Sequence, residues 1–272
     1  MKKLFVMLCA LGFMTLSANA WEASERVPAV GKTLLEKNGL PTTTTFKVVD
    51  GIADNSNATA TNIINISKDD LTYAGNDSEV AAVVSNEIGY IINGQTSKNK
   101  MRELAKQAIT SKLSADNLIT TAANSDYVIN KQNLNDEKAA DITGIDLMCK
   151  TGYNPLAMVV LITKRPTTST LETIQGKPNN SERAMNAFDY LTYAYPSRVK
   201  TGYGCKEYTA FLNYANPIVQ GRNSNSKKLA KFNKQQAKNQ AKRAKDIASY
   251  KTTGVSGWDT SYMLLQSFTE IK

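Results

Sequence analysis

The sequence predicts an α+β fold, with a small antiparallel sheet packed on helices and a basic helix near the C-terminus. Three observations carry this. Two β-branched runs, Thr42 to Val49 and Thr59 to Ile66, lie close together early in the chain. Later segments repeat apolar residues every three or four positions, most clearly from Asp77 to about Asn93. Ser226 to Tyr250 is rich in Lys, Gln and Ala and contains neither Gly nor Pro.

Residues 1–20 read as a secretory signal. Lys2 and Lys3 precede an apolar run from Leu4 to Leu16, and Ala18-Asn19-Ala20 is a small-x-small cleavage site. Cleavage after Ala20 would leave Trp21 first, and the protein is expected to be exported, periplasmic or secreted. Val27 to Asn38 is an amphipathic helix closed by Gly39 and Pro41. Asp54 to Asn57 is turn-like, between the two strands. Asp77 or Ser78 caps the next helix, and Gly94 ends it. Val80, Val83, Val84, Glu87, Ile88 and Ile91 share its buried face, so a carboxylate sits among apolar neighbours.

Lys98 to Thr121 is helical, in one piece or two, and Asn124 to Asn135 is a polar loop. Asp136 to Thr151 is a helix stopped by Gly152. Asn154-Pro155 opens another, Leu156 to Lys164. Arg165 to Asn180 reads as a surface loop and Ser181 to Tyr195 as a helix. Residues 21–221 thus form the body, 222–251 the basic helix, and 252–272 a tail with an apolar stretch from Met263 to Phe268.

The net charge of +9 is unevenly placed. Arg222 to Lys251 holds ten Lys/Arg and one acid, Asp246, which by itself gives +9. The body is near neutral. Lys227 to Lys245 is either a solvated face or a contact for an anionic lipid or polymer. Nucleic acid is not expected as a partner of an exported chain. Cys149 and Cys205 remain after cleavage and are a disulfide candidate, with two buried thiols as the alternative.

Asn86-Glu87-Ile88-Gly89-Tyr90 carries the most information about function. The run sits where a zinc peptidase would read HExxH, and the chain contains no histidine at all. Downstream come Glu137-Lys-Ala-Ala-Asp141, then Gly152-Tyr153-Asn154-Pro155, then Tyr195-Pro196-Ser197-Arg198. In order and spacing these resemble the motif helix, the ExxxD helix with its GYDP continuation, and the later HP…R stretch of HtpX-type and CAAX-prenyl-protease-type gluzincins. The resemblance covers roughly Thr42 to Tyr203. It implies a gluzincin-like metallopeptidase domain whose relatives use zinc.

Carried over, Glu87 matches the general base, and Asn86, Tyr90 and Glu137 the ligand positions. Asp141 and Tyr195 match the positions around them. A neutral amide and an un-ionised phenol are poor zinc ligands, so no zinc or other cofactor is expected. Two readings of the cluster stay open: a hydrogen-bonded structural network, or a hard-cation site built from Asn86, Glu87, Glu137 and Asp141. The expected function is an exported, metalloendopeptidase-like protein, inactive as a peptidase, that binds polypeptide or an envelope protein. The alternatives are an active peptidase with unusual ligands or a basic anchor. Cys149 and Cys205 have no histidine to serve as base, which argues against cysteine chemistry.

Overall fold

Helix α1 (Ala23–Asn38) starts a turn earlier than its apolar pattern suggests. It buries Val27, Val30, Leu34 and Leu35 and ends on Gly39 at φ +62°. The computed structural model describes residues 21–55, 58–110, 134–167, 172 and 174–270. The expected signal segment, the end of the expected Lys98 to Thr121 helix beyond residue 110 and most of the expected 124–135 loop lie outside the described residues.

After α1 come β1 (Thr45–Val49), a helical turn α2 (Ala58–Thr61) and β2 (Ile63–Ser67). The strands pair in parallel, Thr45 opposite Ile63 and Val49 opposite Ser67. This corrects the expected antiparallel sheet. The connection between the strands is no tight hairpin. It runs back through α2 so that β2 starts level with β1, the crossover a parallel pair requires. The α+β reading also shifts toward helix, because these two strands form the one sheet among the described residues.

Past α3 (Lys68–Leu71), the motif helix α4 (Asp77–Ile92) forms the centre of the molecule. Asn76 is its N-cap and accepts from the Glu79 N–H at 3.1 Å. Val80 to Val84 are all essentially buried. A helix apolar on nearly every side needs cover all round. It is covered by α1 and by the equally buried α7 (Leu156–Lys164), which also packs on α8 (Ser181–Ala194). Buried Glu79 does not strain this core, since Lys164 Nζ lies 2.7 Å and Tyr203 Oη 2.9 Å from its carboxylate. Between α4 and α7 come α5 (Gln95–Thr110) and α6 (134–148).

A short turn α9 (Pro196–Val199) leads to α10 (Lys206–Asn223), α11 (Ser226–Thr253) and α12 (Gly257–Glu270). Pro217 inside α10 hides that helix from a pattern reading. Helix α11 buries Gln236, Arg243, Ile247 and Tyr250 along one side. Arg243 reaches into the body, donating to Asn93 Oδ1 at 2.6 Å. The expected tail is the helix α12, packed on α5.

Cys149 and Cys205 are both free, which corrects the disulfide candidate. Cys205 Sγ instead caps α10, accepting from the Tyr208 N–H at 3.4 Å. Burial pushes the Cys149 thiol up to about 12, so it stays protonated. Among the described residues, no helix is long and apolar enough to cross a membrane.

Candidate functional site

The site begins with the close crossing of α4 and α6. A Cβ on Gly89 would lie 2.6 Å from the Ala140 carbonyl oxygen, and one on Gly144 would lie 2.9 Å from Ser85 Oγ. Each helix thus presents a glycine to the other, and the backbones approach as side chains would forbid. The crossing brings Asn86 of α4 against Asp141 of α6, with Asn86 Nδ2 donating to Asp141 Oδ1 at 2.8 Å.

Asp141 is fully buried, and a carboxylate there needs compensation. Arg183 supplies it from the first turn of α8. Its Nε and Nη2 donate to Asp141 at 2.7 and 2.8 Å. The same Nη2 lies 2.8 Å from Glu137 Oε2. One guanidinium therefore joins both carboxylates of the Glu137-to-Asp141 motif. Burial raises the Glu137 pKa, and Arg183 opposes that rise.

Glu87 is half-buried and faces a cleft of about 490 Å³ that Tyr90, Glu137 and Asp70 also line. Asn55, in the loop after β1, donates from Nδ2 to Glu87 Oε2 at 2.9 Å. Burial, with the nearby Glu137 and Asp70 carboxylates, pushes the Glu87 carboxyl up to about 7. Arg165, 3.2 Å from Asp70, tempers the acidic side of the cleft. Burial, reinforced by Glu137, also raises the Tyr90 phenol above its ordinary value, so it is a neutral hydroxyl.

Asn86, Glu87, Tyr90, Glu137 and Asp141 therefore gather around the α4–α6 crossing. Tyr195 does not join them: its hydroxyl donates to Asp146 at 2.8 Å, beside Tyr190, in a separate buried cluster. The site also contains two residues that the sequence analysis passes over. Arg183 left a trace, because a cation in the first turn of a helix opposes the macrodipole and needs its own reason to be there. Asn55 left none, since asparagine in a turn is unremarkable.

A profile of peptidase family M48 matches residues 22–191, which spans α1 to Leu191 of α8 and includes the whole cluster. The chain belongs to peptidase family M48. The likeness to HtpX-type and CAAX-prenyl-protease-type enzymes thus holds, although Tyr195-Pro196 falls beyond the matched residues. No curated protein and no solved structure gives a significant match to the chain.

M48 peptidases are generally zinc-dependent, but the residues that the motif resemblance sets at the ligand positions do not fit zinc. Asn86 is a carboxamide turned onto Asp141, Tyr90 is a protonated phenol, and Glu137 is ion-paired with Arg183. Among the described residues, no group of three or more His, Cys, Asp or Glu comes together as a metal site. The oxygen-donor set proposed for a hard cation fares no better, since the Arg183 guanidinium already neutralises Glu137 and Asp141.

Proposed function

We propose that this M48 member is an exported, catalytically inactive peptidase relative that holds polypeptide or an envelope protein in its cleft without cutting it. The observation that carries this reading is the state of the ligand positions. Asn86 and Tyr90 stand where imidazoles would be needed, and the first is already committed to Asp141. Without a metal-bound water of lowered pKa, Glu87 has no nucleophile to activate. Export is supported by Lys2, Lys3, the apolar run that follows them and the Ala18-to-Ala20 site.

The test is metal analysis of the purified mature protein beside a casein-cleavage assay. No stoichiometric zinc and no chelator-sensitive cleavage are expected. About one zinc per chain, with cleavage abolished both by a chelator and by Glu87→Gln, would overturn the proposal and favour an active peptidase with unusual ligands.

A second activity is favoured by α11. Lys227, Lys231, Lys234, Lys238, Lys242 and Lys245 follow a helical spacing on the side opposite buried Gln236 and Arg243, and all six are exposed. Such a row suits an anionic lipid surface or envelope polymer. No nucleic-acid partner is proposed.

A further inference from the structure

Asn55 does more than touch Glu87. Its Oδ1 accepts from the Asn65 main-chain N–H at 2.7 Å, and its Nδ2 donates to the Asn65 carbonyl at 3.0 Å. Asn65 is the middle residue of β2. Its single N–H cannot also bond to β1, so this pair of bonds lies on the outer edge of the sheet. The Asn55 carboxamide thus offers β2 the donor and acceptor that one residue of an added strand would offer. Its second amide hydrogen goes to Glu87, so one side chain spans from the sheet edge to the motif helix.

The rest of the segment around Asn55 is held in the same way. Ser67 Oγ donates to the Gly51 carbonyl at 2.6 Å, and Asn65 Nδ2 donates to the Asp54 carbonyl at 2.6 Å. Residues Gly51 to Asn55 form one wall of the cleft. They bury no large apolar side chain, and Ile52 is 96 % exposed. The segment is therefore held at the β2 edge by polar contacts and not by a buried large apolar side chain. An extended peptide pairing with that edge would replace those contacts like for like, and the departing segment would pull no large apolar side chain of its own out of the core.

We propose that residues 51–55 are a built-in competitor for the peptide-binding edge, with Asn55 standing in for a peptide group, and that polypeptide enters only as this segment leaves. The inference rests on the polypeptide-holding reading of the cleft and adds its regulation. The test uses fluorescein-labelled casein and fluorescence anisotropy with the full mature chain. Asn55→Ala removes the stand-in. Asn55→Asp keeps its size but can donate neither to Asn65 nor to Glu87. Ile174→Ala, at an exposed isoleucine that does not line the cleft, is the control.

Both Asn55 variants are expected to bind casein at least tenfold more tightly than the parent, with Ile174→Ala unchanged. The Asn65 amide should exchange hydrogen faster in the Asn55 variants and regain protection when casein is added. Equal or weaker casein binding by folded Asn55 variants, with the parent still binding, overturns the competitor and leaves the polypeptide reading standing. No casein binding by any of the four proteins overturns both.

Discussion

Glu87 keeps its place on an apolar helix face at a cost that depends on pH. Its folded-state pKa, about 7, lies above the ordinary 4.5, first because of burial and then because of Glu137 and Asp70. Between these values the folded chain holds a proton that the unfolded chain has released. Stability from this group is thus fully present below about pH 4.5 and is lost as pH rises toward 7. Glu87→Gln preserves the acceptor for Asn55 and removes the titration. It should stabilise the protein at pH 8 by on the order of 2 kcal/mol, a figure discounted for solvent reaching a half-buried group, and by almost nothing at pH 4. Urea melts of both proteins at the two pH values would check this. An equal gain at both would mean that the carboxylate is not the cause. Helical spacing placed Glu87 on the buried face, while only the resemblance to gluzincins, not spacing, paired it with Glu137. Neither could place Arg183, whose partner Asp141 lies 42 residues back along the chain.

Helix α4 owes its position to what it lacks. Gly89 lies inside the motif, and the 2.6 Å approach of its missing Cβ to a main-chain oxygen leaves nothing flexible to yield. Gly144 meets the Ser85 hydroxyl and the tip of Met158, which can move, and its nearest main-chain atom, the Ser85 carbonyl carbon, is further off at 3.0 Å. Gly89→Ala should therefore cost about 3 kcal/mol and Gly144→Ala about 1 kcal/mol, read from urea denaturation. The first should also separate Asn86 from Asp141. Equal costs would show that the crossing relaxes as a whole. Local pattern located α4, α7 and α8 well because their apolar periods are strong. It failed at α10, where Pro217 breaks the pattern without breaking the helix, and at the sheet. Two β-branched runs fix the existence of strands, while their relative direction depends on the path of the connection between them.

At the scale of the whole molecule, charge and packing draw different boundaries. Composition sets the basic segment apart at Arg222, and the family match ends at residue 191. Packing does not follow either line. Arg222 pairs with Asp189 at 2.6 Å, Arg243 enters the body at Asn93, Ile247 and Tyr250 are buried, and α12 lies on α5. Removing Arg222 to Lys272 would uncover apolar surface and leave Asn93 and Asp189 without their cations. The loss is on the order of 5 kcal/mol, the size of a small domain's whole stability. The truncated chain should therefore unfold or melt far earlier, so deletion cannot isolate the role of the lysine row. Charge reversal can. Lys227, Lys231, Lys234 and Lys238 are exposed and make no ion pair among the described residues. Changing all four to Glu should shift the melting temperature little. It should abolish retention on vesicles containing anionic lipid, which in the parent should fall steeply as salt shortens the ~8 Å screening length of physiological solution. Retention by the fourfold variant equal to that of the parent at low salt would show that the row is only a solvated face.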